Sequence, residues 1–314
     1  MGLIVARATD NSRVGAWVGP EPEATGASNN RTEVTAEGSG DIVIDASLTS
    51  NVISQPNFFG FGLLGSGSDV LSNAYQTSTV EAGIGAWSDV DAKSGTVNVG
   101  ADFAGGTRAD SASTNLSLGV AADVTNSNAS HTPTILLEVG ENADIASTAD
   151  GAAIDAIKLQ ARHNSDGFQF FGPEIGVGAI GTAESTSFAG LATVALTRVN
   201  TYANPMLTVD VQNGAKLNSP NANINIAGYN SSTSGASASR TGGAIIASVT
   251  DIDITPISEG TTEVTFSGDV GLNGEVGARN LTIVAQGDSR SDAAVKAATG
   301  GTVNVSAGKA TSYA

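Results

Sequence analysis

Apolar and polar residues alternate with a period of two through most of this chain, and the alternating runs are short. Ile42, Ile44 and Ala46 alternate with polar neighbours or Val43, and the pattern returns at Val97, Val99 and Ala101 and at Ile157, Leu159 and Ala161. It recurs at Ile224 and Ile226, at Leu281 and Ile283, and at Val303, Val305 and Ala307. A two-residue period places every second side chain on one face of a β-strand. A second motif keeps its internal spacing: Val139, Ala143 and Ile145 are matched further along the chain by Val211, Ala215 and Leu217. Strands are expected at 211–217 and 224–226, joined by a turn at 218–221, with a polar insertion at 105–114 and a loop over 7–30 that carries Arg13 and Trp17. The run at 56–65, rich in Phe and Leu, is expected to be a loop lying as an aromatic lid on one end or face, with an exposed adhesive patch as the alternative. Phe168, Phe170 and Phe171 have the same character. One short helix within 143–161 is kept open.

Self-similarity at a spacing of tens of residues predicts stacked units, each too thin to bury both of its faces alone. The shared strand begins near 42, 97, 157, 224, 281 and 303, so four long intervals of similar size are followed by one much shorter. Taking the short interval as the unit predicts a coil of roughly 20 residues and about fifteen coils in a rod on the order of 70 Å long. The fold expected is all-β: a single parallel β-helix, or β-solenoid, over residues 1–314, with long irregular loops and clear repeats over about 31–309. Val, Ile, Leu and Ala would point inward, and Asn, Thr, Asp, Lys and Gln outward.

Composition sharpens this picture. Hydrophobic residues make up 40% of the 314, yet aromatics only 5%, and Gly supplies 39 residues. That suits a thin core of stacked strands better than the thick core of a compact enzyme. With 14 Lys and Arg against 31 Asp and Glu the net charge is -17, which disfavours nucleic-acid and anionic-lipid partners. Cysteine is absent, so disulfides, thiolate metal sites and Cys nucleophiles are excluded. No stretch approaches the ~20 apolar residues of a membrane helix, and insertion of this segment into a membrane is not expected. If the protein is exported, its signal lies outside this chain.

Little chemistry is written in motifs. His131 and His163 stand in polar surroundings and are expected as solvated loop residues. Two acid pairs, Asp89 with Asp91 and Asp251 with Asp253, would each share a strand face. Stacked on a further acid, either pair could hold Ca²⁺ through oxygen ligands. Calcium apart, no cofactor is expected. A polysaccharide lyase or hydrolase would cluster acids with sugar-stacking aromatics, and along the sequence the aromatics sit apart from the acid pairs.

The pattern carried by Val139, Gly140, Ala143 and Ile145, by Ile157, Leu159 and Ala161, and by Gly242, Gly243, Ala244, Ile245 and Ile246 resembles the repeats of filamentous-haemagglutinin-like and autotransporter adhesins. The resemblance implies a right-handed parallel β-helix in a bacterial exoprotein, secreted or at the cell surface, of which this chain would be an internal piece. It also implies a non-catalytic stalk or adhesive segment, with a host or neighbouring-cell glycan or protein as partner and end-to-end contact with further repeats. A polysaccharide-active β-helix enzyme and a self-assembling extracellular fibre are the alternatives.

Overall fold

The computed structural model describes residues 2–20, 31–165, 178–271 and 277–313. The aromatic run at 168–171 and most of the Pro-containing stretch after Gly19 lie outside them. The described residues form parallel β-sheets with no helix, the 143–161 stretch included.

The strands fall into successive layers. The first holds β1 (Gly2–Asp10), β2 (Arg13–Val18), β3 (Glu33–Thr35), β4 (Ile42–Ser54) and β5 (Asn57–Gly62). The second holds β6 (Gly65–Gln76), β7 (Thr79–Ile84), β8 (Asp89–Asp91) and β9 (Val97–Ser117). In the third are β10 (Val120–His131), β11 (Thr134–Val139), β12 (Asp144–Ala146), β13 (Asp155–His163) and β14 (Gly178–Ala189). The fourth has β15 (Ala192–Ala203), β16 (Met206–Val211) and β17 (Lys216–Ala244). The fifth has β18 (Ala247–Ser258), β19 (Thr261–Phe266), β20 (Asp269–Val270) and β21 (Ala278–Gly300), and β22 (Val303–Ala310) begins a further turn.

Each strand pairs in parallel with its counterpart one layer on. Gly65 lies beside Val120, Val120 beside Ala192, Ala192 beside Ala247 and Ala247 beside Val303. Three walls result: β1-β6-β10-β15-β18-β22, then β2-β7-β11-β16-β19, and a long bent wall built on β9 and β17.

This register identifies the repeat. Ile42, Val97, Ile157, Ile224 and Leu281 form one column of neighbours, and Val139 pairs with Val211. The long intervals are therefore single layers and not groups of shorter coils. Val303 belongs to a different wall, where it pairs with Ala247, so the short interval before it is not a unit. Five layers at ~4.8 Å make a stack about 25 Å high, shorter and wider than the expected rod of small coils.

Several segments expected as loops are strands. Residues 105–114 lie inside β9, 218–221 lie inside β17 with a register shift between Ser219 and Asn223, and Arg13 and Trp17 lie in β2. The apolar run at 56–65 is mostly β5, whose Phe59 and Phe61 point to solvent instead of covering a core.

The interior has two lobes. One, between the β2 wall, the short β3-β8-β12 strands and the first half of the long wall, is aliphatic: Val80, Ile84, Val99, Ile135, Leu137, Ile145, Leu159, Leu207 and Ile226 belong to one buried cluster. The other, between the β1 wall and the second half of the long wall, is lined by Ser, Thr, Ala and Asn, with Ser72, Ser111, Ser113, Asn115, Ser127 and Ser234 all buried. The expectation that polar residues point outward fails for this half.

Candidate functional site

Three places concentrate chemistry, and the fold decides what each can do.

The first is the corner between the β7 wall and β8. Trp87, Asn142 and Gly214 stand at matching corners of layers two, three and four, and all three adopt left-handed backbone, with φ of 61°, 56° and 76°. Gly and Asn suit that conformation; for a bulky side chain it costs on the order of 1–3 kcal/mol. Trp87 nonetheless occupies it, 49% exposed. Its ring borders a polar cleft of about 300 Å³ lined also by Arg31, Ser88, Asn142, Asp144, Gly214 and Lys216. Beside it an outward column runs Glu33, Asp89, Asp144, Lys216, Asp269 through consecutive layers. Arg31 donates to Asp89 Oδ2 at 2.5 Å and lies 3.7 Å from Asp144 Oδ2.

This places the acid candidates. Asp89 does stack on Glu33 and Asp144, as the calcium reading requires, but the Arg31 guanidinium already bridges two of the three carboxylates. Asp91 turns to Lys93, which bonds it through the backbone N at 2.8 Å and through Nζ at 2.5 Å. Burial raises the Asp91 pKa, and the Lys93 bonds outweigh it and hold the carboxyl below its ordinary value. Asp251 and Asp253 share the outer face of β18, as expected for alternate strand positions. Their layer neighbours are Leu196 and Ala307 for Asp251, and Arg198 and Lys309 for Asp253. Among the described residues no group of three or more His, Asp or Glu is arranged to hold a metal ion. The structure also brings an aromatic to the acids: Trp87 and Asp144, far apart in sequence, line one cleft.

The second place corrects the reading of the histidines. His131 ends β10 and His163 ends β13; both are fully buried at the junction of the two lobes, with Nε2 atoms 2.9 Å apart and Phe103 packed on both rings. His131 Nδ1 meets Gln76 Oε1 at 2.7 Å, and His163 Nδ1 meets Asn230 Oδ1 at 2.9 Å. Asn230 spends its NH₂ on the Pro205 and Thr261 carbonyls, so its Oδ1 must accept from His163 Nδ1–H. Asn164 donates to His163 Nε2 at 3.1 Å, its own amide being held by both the N and O of Gly105. His163 Nε2 is therefore an acceptor, and His131 must present Nε2–H to it. A third ring proton, on His131 Nδ1, would satisfy the Gln76 carbonyl as well. Burial denies it: desolvation pushes His131 well below its ordinary pKa, helped by the charge of His163, and pushes His163 down to about 4. The pair is neutral at neutral pH and faces no solvent, which removes it from catalysis on an external substrate.

The third place is an ionic cluster inside the polar lobe. Asp123 Oδ1 accepts from Ser68 and Ser113 at 2.6 and 2.5 Å, and Oδ2 accepts from Ser185. Arg240, one layer on, donates to Ser185 Oγ at 2.5 Å and Ser187 Oγ at 2.6 Å, with Nη1 3.7 Å from Asp123. Burial lowers the Arg240 pKa and Asp123 draws it part of the way back. The small Ala195, in register with Asp123 in the same wall, leaves room for the guanidinium at that level.

The sequence reading missed Trp87 and Arg240. A Trp where Gly and Asn stand at the other layers' matching corners is the available signal for the first. For the second there is none, because an Arg between Ser and Thr reads as a surface residue. Comparison with known protein families, with curated proteins and with solved structures finds no match.

Proposed function

We propose that the chain is a single right-handed parallel β-solenoid and serves as a non-catalytic, adhesive structural segment of an exported bacterial surface protein, contacting glycan at the Trp87 cleft. The observation that carries the reading is Trp87 itself, a half-exposed indole in left-handed backbone beside Arg31, Asn142, Asp144 and Lys216. A sugar ring packs its apolar face on an indole while its hydroxyls pair with amide, carboxylate and guanidinium groups. A cleft of this size is at the small end of ligand pockets (~300–1,000 Å³) and accommodates one or two sugar units. The layered register supports the solenoid reading, and the acidic exterior and the resemblance to adhesin repeats support the surface location. The first and last layers each leave one strand edge without a partner among the described residues, which is where further parallel repeats would stack.

The test is a glycan and extracellular-matrix array probed with the wild-type chain and with Trp87→Asn, with and without calcium. Saturable binding to one saccharide class, lost in Trp87→Asn, is expected. Binding that survives Trp87→Asn would remove the cleft from the account, and loss on chelation would show that calcium takes part in binding. The same cleft favours a second reading, polysaccharide cleavage with Asp144 as an acid or base. Reducing-end release that disappears in Asp144→Asn would establish it; Arg31 beside that carboxylate favours binding over turnover.

A further inference from the structure

Among the stretches of this strongly acidic chain that contain no charged residue are 46–68, 111–122, 185–197, 241–250 and 297–308. The layer register stacks them along one corner, where each layer turns from the long wall into the next layer's β1-wall strand. The turn positions there are apolar in four consecutive layers: Leu63 and Leu64, then Leu118, then Leu191, then Ile245 and Ile246, each half exposed or more, with Leu64 at 91%. Two-residue corners ordinarily carry Gly, Asn or Asp. Aliphatic residues repeated at such corners and turned to solvent contribute nothing to this chain's own core.

Next to the turns, one outward column runs Phe61, Leu116, Phe188, Gly243, Gly300 through the five layers. It is a ridge at one end and a trough at the other. The trough belongs to an open groove of about 530 Å³ that the same five residues line with Leu118 and Ile245. With its turn residues and the neighbouring Phe59, this corner presents on the order of 1,000 Å² of apolar surface. An ordinary monomer's largest patch is ~300–600 Å², and each partner in a standard interface buries ~800 Å².

We propose that this corner is a homodimer seam, in which a second copy packs antiparallel about a two-fold axis running along the strands of the third layer. Such an axis keeps each column opposite itself and reverses the layer order. Phe61 then meets the second copy's Gly300, Leu116 meets its Gly243, and Phe188 meets Phe188. Ridge fills trough twice over, as a self-complementary patch requires. Ridges repeating at ~4.8 Å are matched by a ladder of the same spacing, which a second copy supplies. Charge points the same way: two chains of -17 each can approach closely only across an uncharged face. The seam lies apart from the Trp87 corner and does not depend on the glycan reading.

Sedimentation velocity of the wild-type chain from about 1 to 100 µM is expected to show a dimer. Leu64→Asp and Phe61→Asp should each weaken association at least about tenfold, with unchanged far-UV circular dichroism and melting temperature because neither side chain is packed inside the chain. The absence of native cysteine makes the geometry testable by oxidation. Phe188→Cys alone should give a disulfide-linked dimer, because residue 188 meets its own copy at the axis. Phe61→Cys alone should not, while a mixture of Phe61→Cys with Gly300→Cys should give the mixed dimer; a Cβ at residue 300 meets nothing within 4 Å. A monomer at about 100 µM overturns the seam. So does a dimer indifferent to both Asp variants, self-crosslinking of Phe61→Cys as fast as that of Phe188→Cys, or uptake onto neutral phosphatidylcholine vesicles in place of dimerisation.

Discussion

The two halves of the interior are built on the same backbone ladder and held by different physics. In the aliphatic lobe, Ile84, Leu137, Ile145 and Leu217 are removed from water in layer after layer, and full burial of such a side chain is worth about 1.5–3 kcal/mol. In the polar lobe the same inward positions carry Ser, Thr and Asn that bond across the gap, as Ser111 does to Ser127 at 2.7 Å and Thr201 to Ser234 at 2.7 Å. A hydrogen bond of this kind contributes only ~0.5–1.5 kcal/mol net, while an orphaned buried partner costs ~1–3 kcal/mol. The first lobe therefore supplies most of the stability. The second discriminates: a slip in register would separate Ser111 from Ser127, Thr201 from Ser234 and Asp123 from Arg240. The buried histidines sit where the two regimes meet.

The contrast between the lobes is sharpest at Asp123. Asp123→Ala removes the counter-charge from a buried Arg240 and is expected to cost about 3–5 kcal/mol, with most of it returned in the double variant Asp123→Ala/Arg240→Met. Urea unfolding of the two single variants and the double measures it, and additivity of the singles would show that the charges are not coupled. Leu137→Ala, deep in the aliphatic lobe, should cost about 2–5 kcal/mol by the same measurement.

Acid separates the junction from both lobes. The folded pKa of His163 lies near 4 and the unfolded value near 6.5, so the unfolded chain takes up protons first. Stability from this residue is complete above about pH 6.5 and falls as pH drops, by on the order of 3 kcal/mol at pH 4. His163→Gln should flatten stability across that window. Asp10 acts elsewhere: burial raises its pKa, but bonds from Ser12, Ser50 and Ser78 outweigh it and hold the carboxyl below its ordinary 3.8, so its contribution is lost only at lower pH. The smallest effect tests the polar lobe's neutrality. Thr125 and Thr197 pair through their hydroxyls at 3.2 Å. Replacing both by Val should change stability by less than about 1 kcal/mol, whereas Thr125→Val alone should cost more by stranding Thr197.

How far the chain could be read varied by column. The Ile42–Val97–Ile157–Ile224–Leu281 column was legible because each member is a branched apolar residue in the same alternating frame, and the structure places those residues in register. Val303 and Val305 misled, since alternation of period two looks alike in every strand and says nothing about which wall the strand joins. That one misplaced column shortened the inferred coil. The stretch 105–114 was read as an insertion because Thr107, Ser111 and Ser113 are polar, and polarity marks surface unless another wall supplies partners. Trp87 and Asp144 are separated by one layer plus a short offset, so their shared cleft follows only from the layer length.

Alternation and repetition along the chain were enough to determine strands, parallel stacking of like on like, and an aliphatic interior at 80–101 and its counterparts, because a strand's two faces are set by residue parity alone. Tertiary structure decided the rest. Which polar residues lie inside, which histidines meet, and which apolar turns are left facing solvent all depend on the wall opposite. The identity of that wall is set by closure of the chain over a whole layer, beyond the reach of any local pattern.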